Sequence, residues 1–253
     1  MIREKFILLM MGNFKMRFSL TNTFRMAVNG LQKKIAWLLE KFETQAVIFD
    51  LDGTLIDNNE FHLKTWRHYL QKSGRKISDE EFNANINGRT NKDVIEYIYG
   101  AKMPEKEILE HTLEKEAIYR EIYTPFIKPV EGLLDFLEIL RDKNIPMAIA
   151  TSGIQVNIDF MFNHIPIKKY FREVVNSAHI QRGKPDPEIY LKTASLLEIV
   201  PAQCLVFEDA GVGIRAAKSA GMKVIAISTT QPKSELKEAD LIIDNFNLQD
   251  LAI

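Results

Sequence analysis

The segment from Val47 to Leu55 constrains the fold of this chain more than any other. It begins as an apolar run that is typical of a buried strand, and then places two acids, Asp50 and Asp52, with one residue between them. The Gly53-Thr54 pair that follows predicts a turn. Acids at the mouth of a buried strand are costly unless a cation or a reacting proton uses them. If this strand is parallel and central, its carboxyl end is also where open α/β sheets bind ligands.

Polar side chains recur at the ends of later segments. They are Thr151-Ser152 after an apolar run, Lys184 in the turn Gly183-Lys184-Pro185, and Glu208-Asp209 after another apolar run. Each of these motifs alone has a plain structural explanation, such as a solvated turn, a surface lysine or a helix cap. Their order along the chain, and their positions at successive strand ends, favour a shared site.

These four motifs, spread across residues 46 to 228, resemble those of the haloacid dehalogenase-like hydrolases. The resemblance implies that Asp50 is a nucleophile toward phosphate esters and forms an aspartyl-phosphate. Asp52 would protonate the leaving oxygen and later deprotonate water or an acceptor hydroxyl. The hydroxyl of Thr151 would hold a phosphoryl oxygen, and Lys184 would lie between the nucleophile and the transferring group.

The resemblance also implies a magnesium cofactor. Its ligands would be the Asp50 and Asp209 carboxylates and the Asp52 backbone carbonyl, with Glu208 in support. Oxygen ligands of this kind suit Mg²⁺, which keeps several of its waters. A dehalogenase is disfavoured, because Asp52 and the acidic pair imply a cation site.

The pattern of elements predicts an α/β fold with a doubly wound, Rossmann-like parallel sheet and an inserted helical cap. The core would comprise residues 44–58 and 128–253, and the cap residues 59–127. Outside the cap, helices near 131–143, 155–164, 187–198 and 211–220 alternate with strands near 145–150, 173–177, 203–208 and 223–228. Within the cap, Ser78-x-x-Glu81 and Thr90-x-x-Asp93 resemble capping boxes. A helix from Pro104 to Tyr123 is predicted, with Ile108, Leu109, Leu113 and Ala117 on one apolar side.

Within the family, the chain is most similar to the β-phosphoglucomutase-like branch. The stretch that ends in His62, together with Ser152, Arg89 and Asn91, supplies candidate substrate-binding residues. A mutase cap carries an arginine for the substrate's nonreacting phosphate, and here Asn91 stands in its place, while Ile154-Gln155 replaces Lys-Asn. Arg89 could supply the missing charge from a neighbouring position. Because Asn cannot bind phosphate bidentately as Arg does, a phosphatase is favoured over a mutase.

A dinucleotide-binding protein is the main alternative enzyme class, because Gly211-Val212-Gly213 opens a predicted helix after a strand. The acid that should follow about 20 residues later is missing, since the next strand ends in Ser228-Thr229-Thr230. The two glycines are therefore better explained by close packing of a helix on the sheet. A scaffold protein with an inactive site is a remote alternative, because Asp50, Asp52, Lys184 and Asp209 are all present.

Residues 1–43 form a basic extension in which Leu31, Ile35, Leu38 and Phe42 recur at helical spacing. A transit peptide or a membrane-surface helix would have this composition. We favour a nonessential extension, with Met26 as an alternative start, and expect removal of residues 1–42 to leave the kinetics unchanged.

Charge and cysteine content limit the possible partners. The net charge is −1 and there is a single cysteine, Cys204. Neither nucleic acid nor a membrane is expected as a partner, and no disulfide can form within the chain. The expected protein is a cytoplasmic monomer or weak dimer that acts on a small phosphorylated metabolite.

Overall fold

A six-stranded parallel sheet forms the centre of the protein. The computed structural model describes residues 29–86 and 89–252. The strands are β1 (Ala46–Phe49), β2 (Met147–Ala150), β3 (Glu173–Val175), β4 (Cys204–Glu208), β5 (Lys223–Ile227) and β6 (Leu241–Ile243). Their order is β3-β2-β1-β4-β5-β6, and every adjacent pair is parallel. This arrangement confirms the predicted doubly wound α/β fold.

β1 occupies a central position, and all four of its residues are buried. A strand that is covered on both faces reads as a continuous apolar run, which is why its pattern was recognisable in the sequence. The phenyl ring of Phe49 stacks on that of Phe207 from β4, with ring centroids 5.2 Å apart. These contacts fix the end of β1, and therefore the backbone that leads into Asp50.

Helices cover both faces of the sheet. After the insertion, they are α6 (Leu133–Asp142), α7 (Gln155–His164), α8 (Glu188–Leu197) and α9 (Gly211–Ser219). These four helices and the first five strands confirm the predicted alternation. β6 is absent from the sequence-based prediction, because its three residues are too short an apolar run to indicate a strand.

Four helices lie between β1 and α6. They are α2 (Asn59–Lys72), α3 (Asp79–Asn85), α4 (Asn91–Tyr99) and α5 (Glu105–Tyr123). The Ser78 hydroxyl accepts from the Glu81 backbone N–H, and the Thr90 hydroxyl accepts from the Asp93 backbone N–H. These bonds are the N-cap half of each predicted capping box. The helices share an apolar cluster of their own, which includes Trp66, Phe82, Val94, Ile95 and Ile98. This insertion therefore has an independent packing centre beside that of the sheet.

The predicted apolar side of α5 is wrong. Ile108 is buried, but Leu109, Leu113 and Ala117 are exposed. The buried face carries Lys115, Glu116, Tyr119 and Tyr123 instead, and the two tyrosines join the core beneath the sheet. Charged residues could take this face because polar partners from other elements satisfy them, as described below.

The helix before the sheet is part of the core. Residues 29–41 are helical, and we refer to them as α1. Leu31, Ile35, Leu38 and Phe42 are all buried in the same cluster as β1 and α6, which confirms their predicted helical face. Most of the predicted basic extension, residues 1–28, lies outside the described part of the chain. The predicted division between the extension and the core at residue 43 does not separate two packing units, because α1 packs in the same core as the sheet.

We expect Leu38→Ala to destabilise the protein by about 2–5 kcal/mol, because it leaves a cavity where a side chain is only 1% exposed. Urea denaturation followed by circular dichroism measures the change, and Lys33→Ala on the exposed side of α1 is the matched control. Removal of residues 1–42 should lower the unfolding midpoint further. Equal midpoints for Leu38→Ala and wild type would show that α1 does not contribute to the core.

Among the described residues, no helix combines the length and the apolar character needed to cross a bilayer.

Candidate active site

Three carboxylates meet where β1 and β4 end. β1 and β4 are neighbours in register, with Phe49 opposite Phe207, so the residues that follow them emerge at the same edge of the sheet. Asp50, Glu208 and Asp209 each offer an oxygen, and these oxygens all lie within 4.8 Å of one another. All three residues are buried. Like charges held this closely need a cation, and the donor set fits Mg²⁺.

The pKa values of Asp50 and Asp209 are raised because these acids are buried close to other carboxylates. Burial raises the pKa of Asp50 to about 8, and the negative charges of Glu208 and Asp52 add to this despite the opposing effect of Lys184. Burial, followed by the charges of Glu208 and Asp50, raises the pKa of Asp209 well above its usual value. Without a metal ion, these raised pKa values favour the protonated acids, and a bound metal would displace those protons.

Lys184 lies among these acids. Its ammonium group donates to Asp50 Oδ1 and to Glu208 Oε1, both at 2.6 Å, and to the Ala150 carbonyl at 3.2 Å. Burial alone would lower the pKa of Lys184, but Asp50 and Glu208 raise it well above its usual value. Lys184 is therefore an ammonium that can neutralise charge beside Asp50.

Glu208 is held by donors on both of its oxygens. Oε1 accepts from Lys184 and from the Tyr190 hydroxyl, which lies at 2.6 Å, and Oε2 accepts from the Asp209 backbone N–H at 3.1 Å. Tyr190 is a site residue that the sequence analysis missed. It follows Lys184 by six positions, on the first turns of α8, so proximity to the lysine motif was the available signal.

Glycines make room for the acids. A Cβ on Gly213 would lie 1.8 Å from Glu208 Oε1, and a Cβ on Gly53 would lie 2.0 Å from Asp209 Oδ2. Gly53 also has a φ of +76°, which favours glycine. Close packing, as predicted, thus explains Gly213. The space beside Gly213 contains a carboxylate, which would repel a pyrophosphate, so the dinucleotide alternative is excluded here.

Asp52 lies beside two polar side chains from the start of the helical insertion. Its Oδ1 accepts from Asn58 Nδ2 at 2.6 Å, and His62 Nε2 lies 3.8 Å from the same oxygen. Burial would raise the pKa of Asp52, but His62 and Asn58 together lower it below its usual value. An ionised carboxylate in this position suits a general base that takes a proton from water.

Lys115 orients His62 from α5. Lys115 Nζ lies 3.0 Å from His62 Nδ1, and this contact positions the imidazole so that Nε2 faces Asp52. The imidazole of His62 also stacks on the Tyr119 ring at 4.0 Å. The sequence analysis missed Lys115, although it shares a helix face with Ile108 and Tyr119.

The remaining predicted site residues occupy different surroundings. Thr151 is buried after β2, and its hydroxyl accepts from the Gly153 backbone N–H at 2.9 Å, whereas Ser152 is exposed. Asn91 donates to Glu116 Oε1 at 3.0 Å. Arg89 is exposed and donates to the Ala84 carbonyl at 3.3 Å, so the structure does not bring it to the acids.

Known proteins resemble this chain in sequence and in fold. The family model described as haloacid dehalogenase-like hydrolase matches residues 47–227. The phosphorylated carbohydrates phosphatase of Thermotoga maritima is 32% identical over 72% of this chain and 83% of its own length. The β-phosphoglucomutase of Bacillus subtilis is 31% identical over 79% of this chain and 88% of its own length.

Longer proteins and solved structures match as well. The match to the chloroplastic 5-amino-6-(5-phospho-D-ribitylamino)uracil phosphatase of Arabidopsis thaliana, at 27% identity, covers 81% of this chain but only 56% of that protein. A crystal structure of a family IA, variant 3 hydrolase from Entamoeba histolytica superposes with a TM-score of 0.76. It is 33% identical, and the match covers 83% of this chain and 96% of the other.

Proposed function

The chain belongs to the haloacid dehalogenase-like hydrolase family and is a phosphoric monoester hydrolase. Within this family, we propose that it is a Mg²⁺-dependent phosphatase of sugar phosphates. The observation that carries this proposal is the contact of Lys184 with Asp50 beside the buried Glu208 and Asp209. The residues proposed as nucleophile, charge-neutralising cation and metal ligands thus lie together at one edge of the sheet. The phosphorylated carbohydrates phosphatase of Thermotoga maritima supports the substrate class.

Each side chain has a defined part in the proposed reaction. Asp50 attacks phosphorus and the ester P–O bond breaks as Asp52 gives a proton to the leaving oxygen, which leaves an aspartyl-phosphate on Asp50. Lys184 neutralises charge on the transferring group, and Thr151, buried at the end of β2, would offer its hydroxyl to a phosphoryl oxygen. Asp52 then takes a proton from the water that attacks the intermediate, and His62 and Lys115 hold that carboxylate in place.

Mg²⁺ would be held by the carboxylates of Asp50 and Asp209 and by the Asp52 backbone carbonyl. When bound, it would neutralise charge on the phosphoryl oxygens. Glu208 supports the site by fixing Lys184, since both of its oxygens already accept hydrogen bonds from the protein.

A phosphomutase is the second candidate, because the β-phosphoglucomutase of Bacillus subtilis is 31% identical. A mutase must hold a bisphosphate by its nonreacting end while the intermediate turns, and must keep water away meanwhile. Asn91 is instead bonded to Glu116, and Gln155 to Asn176 and Asp159. These contacts favour hydrolysis.

Product analysis separates the two functions. With Mg²⁺, β-glucose 1-phosphate and catalytic glucose 1,6-bisphosphate, we expect inorganic phosphate to appear faster than glucose 6-phosphate. A parallel screen of sugar and polyol monophosphates, read by phosphate release, identifies the preferred substrate. Formation of glucose 6-phosphate with little phosphate release would establish the mutase, and no turnover of any phosphate ester would contradict both functions.

A further inference from the structure

A carboxylate from the protein occupies a ready-made anion site between the helical insertion and the core. Glu116 Oε1 accepts from Lys115 Nζ at 2.9 Å and from Asn91 Nδ2 at 3.0 Å, and Glu116 Oε2 accepts from Asn157 Nδ2 at 2.8 Å. The donors come from α4, α5 and α7. Glu116 is only 4% exposed. One ammonium and two amides around a buried carboxylate are the groups that would otherwise bind an external anion.

The carboxylate is ionised. Burial would raise the pKa of Glu116, but the charges of Lys115 and His62 and the hydrogen bonds from Lys115 and Asn157 together lower it below its usual value. The charge of Lys115 is therefore balanced within the protein. A second anion placed here would meet the fixed negative charge of Glu116, which already accepts a hydrogen bond from each of Lys115, Asn91 and Asn157.

The same contacts join the insertion to the core. Asn157 lies on α7, which directly follows Thr151 and Ser152, and it is 6% exposed. Its amide nitrogen donates to Glu116, and its amide oxygen accepts from Arg120 Nη1 at 2.9 Å. The Arg120 guanidinium therefore already donates a hydrogen bond to the protein. A protein carboxylate thus makes the bridge between α5 and α7 that a bound anion would otherwise make.

This cluster is connected to the reacting groups. Lys115 contacts Glu116 and also His62, and His62 lies beside Asp52. The nonreacting end of a substrate whose phosphoryl group faces Asp50 would therefore lie toward Glu116. We propose that Glu116 is a specificity-determining residue that restricts the substrates to monophosphates whose other end carries neutral hydroxyl groups. This inference rests on the proposed phosphatase function.

The test compares matched substrates. Fructose 1-phosphate and fructose 6-phosphate each carry one phosphate, and fructose 1,6-bisphosphate presents either phosphate with a second anion at the far end. For wild type with Mg²⁺, we expect kcat/KM to be at least about tenfold higher for the better monophosphate than for the bisphosphate. Phosphate release measures all three, and equal values would overturn the inference but leave the phosphatase function intact. No release from any sugar or polyol monophosphate would overturn both.

Glu116→Gln removes the charge but keeps the shape of the side chain and releases Lys115. We expect it to reduce the preference for the monophosphate by about tenfold. Glu114→Gln is the matched control, because Glu114 lies on the same helix, is exposed and pairs with Lys72. The ratio of kcat/KM for the monophosphate to kcat/KM for the bisphosphate, measured on one preparation, does not depend on the fraction of protein that is folded. If Glu116→Gln does not fold, the comparison of the three substrates with the wild-type protein still tests the inference. An unchanged ratio in folded Glu116→Gln would overturn the role of Glu116.

Discussion

Asp50→Asn should reduce the turnover of a phosphate ester on the order of 10³-fold or more while the protein stays folded. An amide cannot attack phosphorus to form an acyl phosphate, so the loss concerns the chemical step. The substitution also removes one charge from the metal ligands and weakens the contact with Lys184 Nζ, now 2.6 Å from Asp50 Oδ1. All three effects lower activity.

The fold should tolerate this change. Asn has the same shape as Asp, and its oxygen can still accept from Lys184, while the Asp50 backbone N–H keeps its bond to the Phe207 carbonyl at 3.0 Å. One buried carboxylate fewer also relieves the crowding with Glu208 and Asp209. Thermal unfolding should therefore occur at or above the wild-type midpoint in metal-free buffer.

Phosphate release with a saturating substrate measures the turnover, and Asp135→Asn, at an exposed position of α6, is the control. A folded Asp50→Asn protein that keeps more than about a tenth of the wild-type turnover would show that another group is the nucleophile.

The acids were predictable because they follow apolar runs. In a parallel sheet the carboxyl ends of neighbouring strands meet, so the order Asp50, Thr151, Glu208 along the chain implies proximity in space. Lys184 precedes α8, which packs against β2 and β3, and its turn could be recognised from Gly183 and Pro185. Local pattern and global topology agree at these positions.

Lys115, Glu116 and Asn157 were not predictable in the same way. Each lies inside a helix, where a charged or amide side chain usually faces solvent. Whether it does so depends on how α5 packs against α7, which no local pattern determines. The prediction therefore placed Leu109 and Leu113 on the buried side of α5. In the structure, the buried side is instead the one that faces His62 and Asn157.

Removal of Mg²⁺ should abolish activity, and restoring it should recover activity in a pH-dependent manner. EDTA leaves Asp50, Glu208 and Asp209 with one ammonium, Lys184, among them. Without a cation the phosphoryl oxygens and the nucleophile repel each other, so turnover should fall below detection. Activity that persists in EDTA would contradict the proposed metal site.

The pH dependence follows from the raised pKa of Asp50, about 8, against a usual value of 3.8. Between pH 3.8 and about 8 the metal-free folded protein keeps a proton that the unfolded chain has lost. The contribution of this group to stability is therefore full below pH 3.8 and is lost as pH rises through about 8. Mg²⁺ must displace that proton. Its affinity should therefore increase from pH 6 to pH 8, with protons released on binding.

Calorimetric titration of the metal-free protein with Mg²⁺ in two buffers of different ionisation enthalpy measures the released protons. Thermal unfolding should show a larger increase in Tm on addition of Mg²⁺ at pH 8 than at pH 6, because ligand stabilisation grows with affinity. Asp209→Asn removes a proposed ligand and should abolish the increase, whereas Asp135→Asn should retain it. Mg²⁺ binding that releases no protons between pH 6 and pH 8 would show that the cation does not bind at the buried acids, since those acids hold the protons that must leave.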